Sequence, residues 1–136
     1  MPEVTIVCGP PCAGKSTYVD EHCEPGDVVL DWDTIVEDLG FAPRQHLVEP
    51  ALIDVISIEW RRRLATALEQ PQHVWVIHAK PARAITPLAT SLDADVVEIS
   101  APLEVLIARA AERPHPAEHR ARILAWHNRY NRRRRR

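Results

Sequence analysis

The sequence predicts an α/β fold, a three-layer sandwich in which a central parallel sheet of about four strands lies between helices and carries a small helical lid. Four short runs rich in Val and Ile are separated by stretches with helical patterning, which is typical of alternating strands and helices. A glycine-containing segment joins the first strand to the first helix. At 136 residues the chain has the length of one domain. We place that domain at residues 1–131, followed by an arginine-rich tail at residues 132–136.

The strands are expected at residues 4–8, 28–31, 74–78 and 96–99, each buried on both faces because each run is almost wholly apolar. Helices are expected at residues 16–23 and 34–39, then at about 50–70 and 103–112, with a last helix beginning near residue 117. The longest helix starts at Pro50, a residue suited to a first helical turn. Its buried stripe is predicted from apolar residues four positions apart, namely Leu52, Ile56, Trp60, Leu64 and Leu68.

The segment after the first strand matches the phosphate-binding pattern G-x-x-x-x-G-K-S/T. It consists of Gly9, Pro10, Pro11, Cys12, Ala13, Gly14, Lys15, Ser16 and Thr17. Such a loop surrounds phosphate with backbone N–H groups, and the positive end of the following helix adds to the attraction. We therefore predict that these nine residues bind ATP, that Lys15 reaches its β- and γ-phosphates, and that Ser16 ligates Mg²⁺. The strand–loop–helix context disfavours the alternative, a glycine turn before an ordinary helix.

Two carboxylates follow the second strand, in the sequence Asp31-Trp32-Asp33. Ligands of parallel sheets bind at the carboxyl ends of the strands, so both side chains are expected beside the γ-phosphate. We predict that Asp31 supports Mg²⁺ and the substrate, and that Asp33 accepts the proton of an attacking hydroxyl. In the alternative reading, Asp33 caps the next helix, a role compatible with catalysis.

The third strand ends in His78 without the acid that many phosphate-loop ATPases carry there, which argues against a motor or a switch. His78 either lines the site or is a satisfied strand-end histidine. Further along, Arg109 and Arg113 are four residues apart and share one helix face. An arginine pair followed by a turn suits a lid in which Arg113 stabilises charge on the transferring phosphoryl group, although a solvated pair is the alternative.

Three segments resemble the small phosphate-loop kinases that include the 5′-OH polynucleotide kinase domain, the zeta-toxin kinases and bacteriophage relatives. They are residues 9–17, the Asp31-x-Asp33 pair, and residues 105–113 with the helix that follows. The resemblance implies a phosphate-loop NTPase fold of the nucleoside-kinase type and an ATP- and Mg²⁺-dependent phosphotransferase. It further implies that Asp33 is the general base, that Arg109 lies against the nucleotide and that Arg113 is the catalytic lid arginine.

The chain also departs from this family. Val36 stands where polynucleotide kinases have an arginine that grips the substrate phosphate, and His78 and Ala79 replace an acidic segment. The Asp-x-Asp pair is similar to that of shikimate and gluconate kinases, but the glycine stretch of shikimate kinase is missing. We expect a nucleic-acid or nucleotide acceptor, with Arg44, His46 and Arg83 as candidate contacts. A small-metabolite kinase and an ATP-binding regulatory module with little hydrolysis remain alternatives.

Charge is unevenly distributed, although the formal net charge is only −2. Residues 1–119 carry 9 basic and 19 acidic side chains, whereas residues 120–136 carry 8 arginines and no acid. The basic tail would attract nucleic acid without sequence preference, or it is simply a solvated end. The three cysteines have neither zinc-site nor disulfide spacing, and no signal peptide or membrane-length apolar run is visible. We therefore expect a cytoplasmic protein with no membrane partner. Its oligomeric state stays open.

Overall fold

The computed structural model describes residues 2–131, so the predicted arginine tail at 132–136 lies outside the described residues. Within this range the chain alternates between strands and helices, as predicted. The elements are β1 (Val4–Cys8), α1 (Lys15–His22), β2 (Val28–Asp31), α2 (Trp32–Asp38), α3 (Ala51–Leu68), β3 (Val74–His78), α4 (Ala82–Leu92), β4 (Asp95–Glu98), α5 (Leu103–Ala111) and α6 (Pro116–Asn131). A 3₁₀ turn, Gln45–Leu47, interrupts the connection between α2 and α3.

The four strands form one parallel sheet in the order β2-β3-β1-β4, which confirms the predicted fold class. Because all strands run in the same direction, their carboxyl ends lie along one edge of the sheet. The segment after β1 and the Asp31–Asp33 segment after β2 therefore emerge on the same side. This edge carries the candidate site.

Side chains of β1 alternate between two hydrophobic cores. Ile6 and Cys8 pack in the larger core together with buried residues of α2, α3 and α4. Val7 belongs to a smaller core with Val19 of α1 and Trp75 of β3. Successive residues of a strand point to opposite faces of the sheet, so the helices lie in two layers around it.

The prediction that every strand is buried on both faces is wrong for β2 and β4. All five residues of β1 are buried, whereas β4 has no fully buried residue. Val29 is 44% exposed and Val96 is 38% exposed. Both strands are edges of the sheet, where no further strand among the described residues covers them.

The predicted stripe of α3 does face the core. Ile56 and Leu64 are buried, and Leu52, Trp60 and Leu68 pack against the same cluster. No bounds were predicted for α4, which contains Pro87, a residue that normally disfavours a helix interior.

The two helices of the predicted lid, α5 and α6, pack directly on the glycine-containing loop. Leu106 and Ala110 of α5 and Ile123 of α6 form a cluster with Cys12 and Ala13. This packing fixes the position of the lid relative to the site. None of the helices in the described part of the chain is both long and apolar enough to span a membrane.

Candidate functional site

The loop between β1 and α1 has a conformation that requires glycine. Gly9 has φ +142°, and a Cβ atom there would overlap the carbonyl oxygen of Ile99. Gly14, at the N-terminal boundary of α1, has φ +99°. L-residues rarely adopt such angles. The two glycines of the motif therefore stand where the backbone turns around the space in front of α1.

Lys15 is held inside this turn before any phosphate arrives. Its Nζ donates to the carbonyl oxygens of Gly9 and Pro10, at 2.6 and 3.2 Å. Burial lowers its pKa to about 8, and the positive charge of Arg122 contributes to the lowering, against the opposing effect of nearby carboxylates. A phosphate at this position would supply a negative charge that stabilises the buried ammonium group of Lys15.

Arg109 braces the same loop from α5. Its Nη1 donates to the carbonyl oxygens of Cys12 and Ala13, at 3.1 and 3.2 Å. These bonds tie α5 to the loop. The nucleotide contact expected of Arg109 stays a prediction.

A cleft of about 340 Å³ opens in front of the loop. Its lining combines residues 11–17 of the loop with Asp31 and Asp33 and with Arg113 in the turn between α5 and α6. The structure therefore gathers residues that the sequence predicted from three separate segments.

Asp31, and not Asp33, caps α2. The Asp31 side chain accepts a hydrogen bond from the Asp33 backbone N–H at 3.2 Å, and the helix begins at Trp32. The reading of Asp33 as the cap is therefore wrong, because the helix starts two residues earlier than predicted. The Asp33 side chain is exposed and lines the cleft, with no hydrogen-bond partner recorded among residues 2–131. Its carboxylate is thus available to a substrate.

The residues proposed for Mg²⁺ fit that ion. Ser16 and Asp31 line one cleft and offer hydroxyl and carboxylate oxygens, the donors that Mg²⁺ prefers. Burial raises the pKa of Asp31, and the adjacent Asp33 carboxylate raises it further. A cation would relieve this excess of negative charge. Within the described residues no group of three or more His, Cys, Asp or Glu side chains is placed to hold a metal ion.

Two lid residues that were not predicted also line the cleft, namely His119 and Arg122 of α6. Arg122 lies close enough to Lys15 and His46 for its charge to lower the pKa of both, in addition to the effect of burial. Its position depends on the reversal of the chain between α5 and α6. The sequence offers only one weak indication that Arg122 lies at the site, namely its place directly before the buried Ile123.

Of the three candidate acceptor contacts, only His46 lines the cleft. Arg44 lies two residues away and forms an ion pair with Glu118 of α6. The lining of the cleft does not include Arg83, so its role as an acceptor contact stays a prediction without support from this position. Arg83 lies in the first turn of α4 and donates to the carbonyl oxygen of Tyr130, because the C-terminal end of α6 attracts cations.

His78 is a satisfied strand-end histidine. Its Nδ1 accepts from the backbone N–H of Lys80 at 3.3 Å. Burial lowers its pKa to about 4, with further lowering by the charges of Lys80 and Lys15. The imidazole is therefore neutral at pH 7, and the cleft is lined by its neighbours Ile77 and Ala79 instead.

Comparison with known proteins supports this description of the fold. A family model described as "AAA domain" matches residues 4–135. The crystal structure of TT1252 from Thermus thermophilus is similar with a TM-score of 0.62 and 23% identity, over 98% of this chain and 85% of that chain. A chain in the Pnkp1/Rnl/Hen1 RNA repair complex is similar with a TM-score of 0.65 and 17% identity, over 95% of this chain and 46% of that chain. No curated protein matches the sequence significantly. At these identities the structural similarities show the fold alone.

Proposed function

We propose that this chain, which belongs to the AAA domain family, is a phosphotransferase that moves the γ-phosphate of ATP to an acceptor. One observation carries the proposal: the Asp33 carboxylate, which has no hydrogen-bond partner within residues 2–131, lines the same cleft as Lys15 and Arg113. A base, a phosphate-binding ammonium and a guanidinium are the parts that phosphoryl transfer to a hydroxyl requires.

Each group has a role set by its position. The phosphate loop binds the β- and γ-phosphates through backbone N–H groups, and Lys15 exchanges its loop carbonyls for phosphate oxygens. Arg113 neutralises charge that develops on the transferring group. Asp33 orients the acceptor hydroxyl and accepts its proton. Mg²⁺, held by Ser16 and Asp31 together with the phosphates, would supply further neutralisation of the phosphate charge.

The proposed acceptor is a hydroxyl or phosphate of a nucleic acid or nucleotide. The lid resemblance to polynucleotide kinases supports this choice, as does the fold similarity to a chain of an RNA repair complex. The arginine tail at residues 132–136 would add affinity for a nucleic-acid backbone.

The test is transfer of labelled γ-phosphate from ATP with Mg²⁺ to a panel of 5′-OH oligonucleotides, nucleosides, nucleoside monophosphates and small polyols. Asp33→Asn is expected to lower transfer by about 10²–10⁴-fold with ATP affinity almost unchanged, because the base acts in the transition state. Glu37→Gln, an exposed acid on the same helix that lies outside the cleft lining, is the matched control. Lys15→Ala provides the blank.

A second candidate is an ATP-binding regulatory module with little or no hydrolysis. The observation that favours it is the lining at the end of β3, which Ile77 and Ala79 provide without an acidic side chain. It predicts tight ATP binding, no label on any acceptor and no effect of Asp33→Asn. That result would refute the kinase proposal, whereas label on polyols alone would identify a small-metabolite kinase.

A further inference from the structure

We propose that the acceptor carries a phosphate group besides the hydroxyl it offers, and that Arg44, His46, His119 and Arg122 bind this phosphate. These residues come from the loop at 40–49 and from the first two turns of α6. This inference rests on the proposed function, because a molecule that binds here is an acceptor only if the protein transfers phosphate. Binding of the anion itself can be measured without any transfer.

The first argument is the guanidinium of Arg44. Its Nη2 is paired with Glu118, and its side chain is only 18% exposed. Its Nη1 is buried and has no hydrogen-bond partner within residues 2–131. A buried donor that is left unpaired costs free energy, most of all on a charged group. An oxygen of a bound anion would satisfy it.

The second argument is His46, two residues further along the same loop. Its Nδ1 is also buried without a partner. Within the described part of the chain, these two atoms are the only buried side-chain nitrogen or oxygen atoms that lack a partner. The His46 ring lies edge-on to Trp32, at 5.8 Å between centroids, and both rings line the cleft. Two unsatisfied groups on one loop beside a cleft indicate a ligand-binding position rather than scattered packing faults.

The backbone at Arg44 adds a third observation. Arg44 has φ +62°, the left-handed region that side chains other than glycine rarely adopt. The turn is held by hydrogen bonds between Ala42 and Gln45, at 2.9 and 3.0 Å. Such strain persists where the surroundings enforce it, and it is frequent at ligand clamps. The strained residue directs the guanidinium towards the lid.

Charge explains why the ligand at this position is an anion. Burial lowers the pKa of His119, and the positive charges of Arg44, Arg113 and Arg122 lower it further against the opposing effect of Glu118. Three guanidinium groups therefore lie near His119, and two of them, those of Arg113 and Arg122, line the cleft, with Glu118 as the acid that partly compensates them. Phosphate offers several strong acceptor oxygens and suits guanidinium geometry. An acceptor could thus place its phosphate here and its hydroxyl near Asp33.

The experiment measures binding of inorganic phosphate to protein saturated with Mg²⁺ and a non-hydrolysable ATP analogue, by calorimetry. The nucleotide fills the phosphate loop, so the remaining phosphate site is the proposed one. We expect saturable binding of one phosphate, weakened about tenfold or more in Arg44→Gln and again in His46→Gln. Arg61→Gln, on an exposed arginine of α3, is the matched control and should bind phosphate like the wild type.

Glu118→Gln distinguishes a loss of phosphate binding from a structural effect of breaking the Arg44–Glu118 ion pair. It breaks the same ion pair as Arg44→Gln but keeps the guanidinium, so phosphate should bind at least as tightly as in the wild type. The inference is overturned if the nucleotide-loaded protein shows no saturable phosphate binding, or if Arg44→Gln and Glu118→Gln weaken it equally. Retained phosphate binding with no transfer to any acceptor would instead refute the phosphotransferase and leave the anion site standing.

Discussion

Removal of the Lys15 charge should stabilise the protein in the absence of nucleotide. Burial and Arg122 lower the pKa of Lys15 from 10.5 to about 8, which corresponds to a cost of about 3 kcal/mol for the charged form in the folded state. Lys15→Met abolishes this cost but also loses the two bonds to loop carbonyls. Each bond contributes about 1 kcal/mol, so a net gain of about 1–2 kcal/mol is expected. Thermal unfolding should shift upward by about 3–6 °C.

The dependence on pH identifies the cause. The folded-state pKa of Lys15 lies below its unfolded value, so the cost is present in full below pH 8 and disappears as the pH rises to about 10.5. The stability advantage of Lys15→Met over the wild type should therefore shrink across this window. Lys80→Met, on the exposed lysine after β3, should show no such trend.

Nucleotide should reverse the order of stability. At a concentration of MgATP a hundred times Kd, the wild type gains about 2.7 kcal/mol, whereas Lys15→Met gains little because its phosphate contact is missing. The assay is urea or thermal unfolding with and without MgATP. If Lys15→Met is less stable than the wild type at pH 7 without nucleotide, or its advantage does not change up to pH 10.5, the account of Lys15 as a costly buried charge is refuted.

Three further predictions concern the loop and the tail. Gly9→Ala should lower the free energy of unfolding by about 3 kcal/mol or more, since its Cβ would meet the Ile99 carbonyl. The control is Gly26→Ala, which has φ +92° but open space around it and should lower the free energy of unfolding by only about 1 kcal/mol. Thermal unfolding measures both. Arg109→Ala should weaken ATP binding about tenfold in calorimetry by releasing the loop carbonyls; unchanged affinity would contradict the bracing role. Deletion of residues 132–136 should abolish retention of DNA and leave ATP binding unchanged, and retained DNA binding would exclude the tail as its source.

Much of the fold followed from local patterns. The bounds of β1, β2 and β3 were predicted to the residue, because a short Val- and Ile-rich run bounded by polar residues suits a parallel strand. The glycine-containing loop was recognisable because its motif specifies the backbone angles of a contiguous segment. Gly9 and Gly14 adopt positive φ values that glycine tolerates best.

Other features depend on neighbours that are distant in the chain. The apolar composition of β2 and β4 is that of buried strands, and their exposure follows from their place at the edges of the sheet. Asp31 and Asp33 are equally good caps by residue type, and the register of α2 against the core, with Ile35 and Val36 buried, decides between them.

The residues of the candidate site likewise fall into those that the sequence predicted and those that only the structure revealed. Sequence by itself predicted that the glycine-containing loop, the carboxylate pair and Arg113 belong to one site, since each lies in a short segment whose spacing has a chemical meaning, and all three contribute to the lining of the cleft. Only the tertiary structure decided that Arg122 and His46 line the cleft and that Arg83 does not. The physical reason is that the chain reversal between α5 and α6, and the packing of these helices on Cys12 and Ala13, decide which side chains meet at the cleft. Contacts between residues so distant in the chain produce no periodic pattern in the sequence.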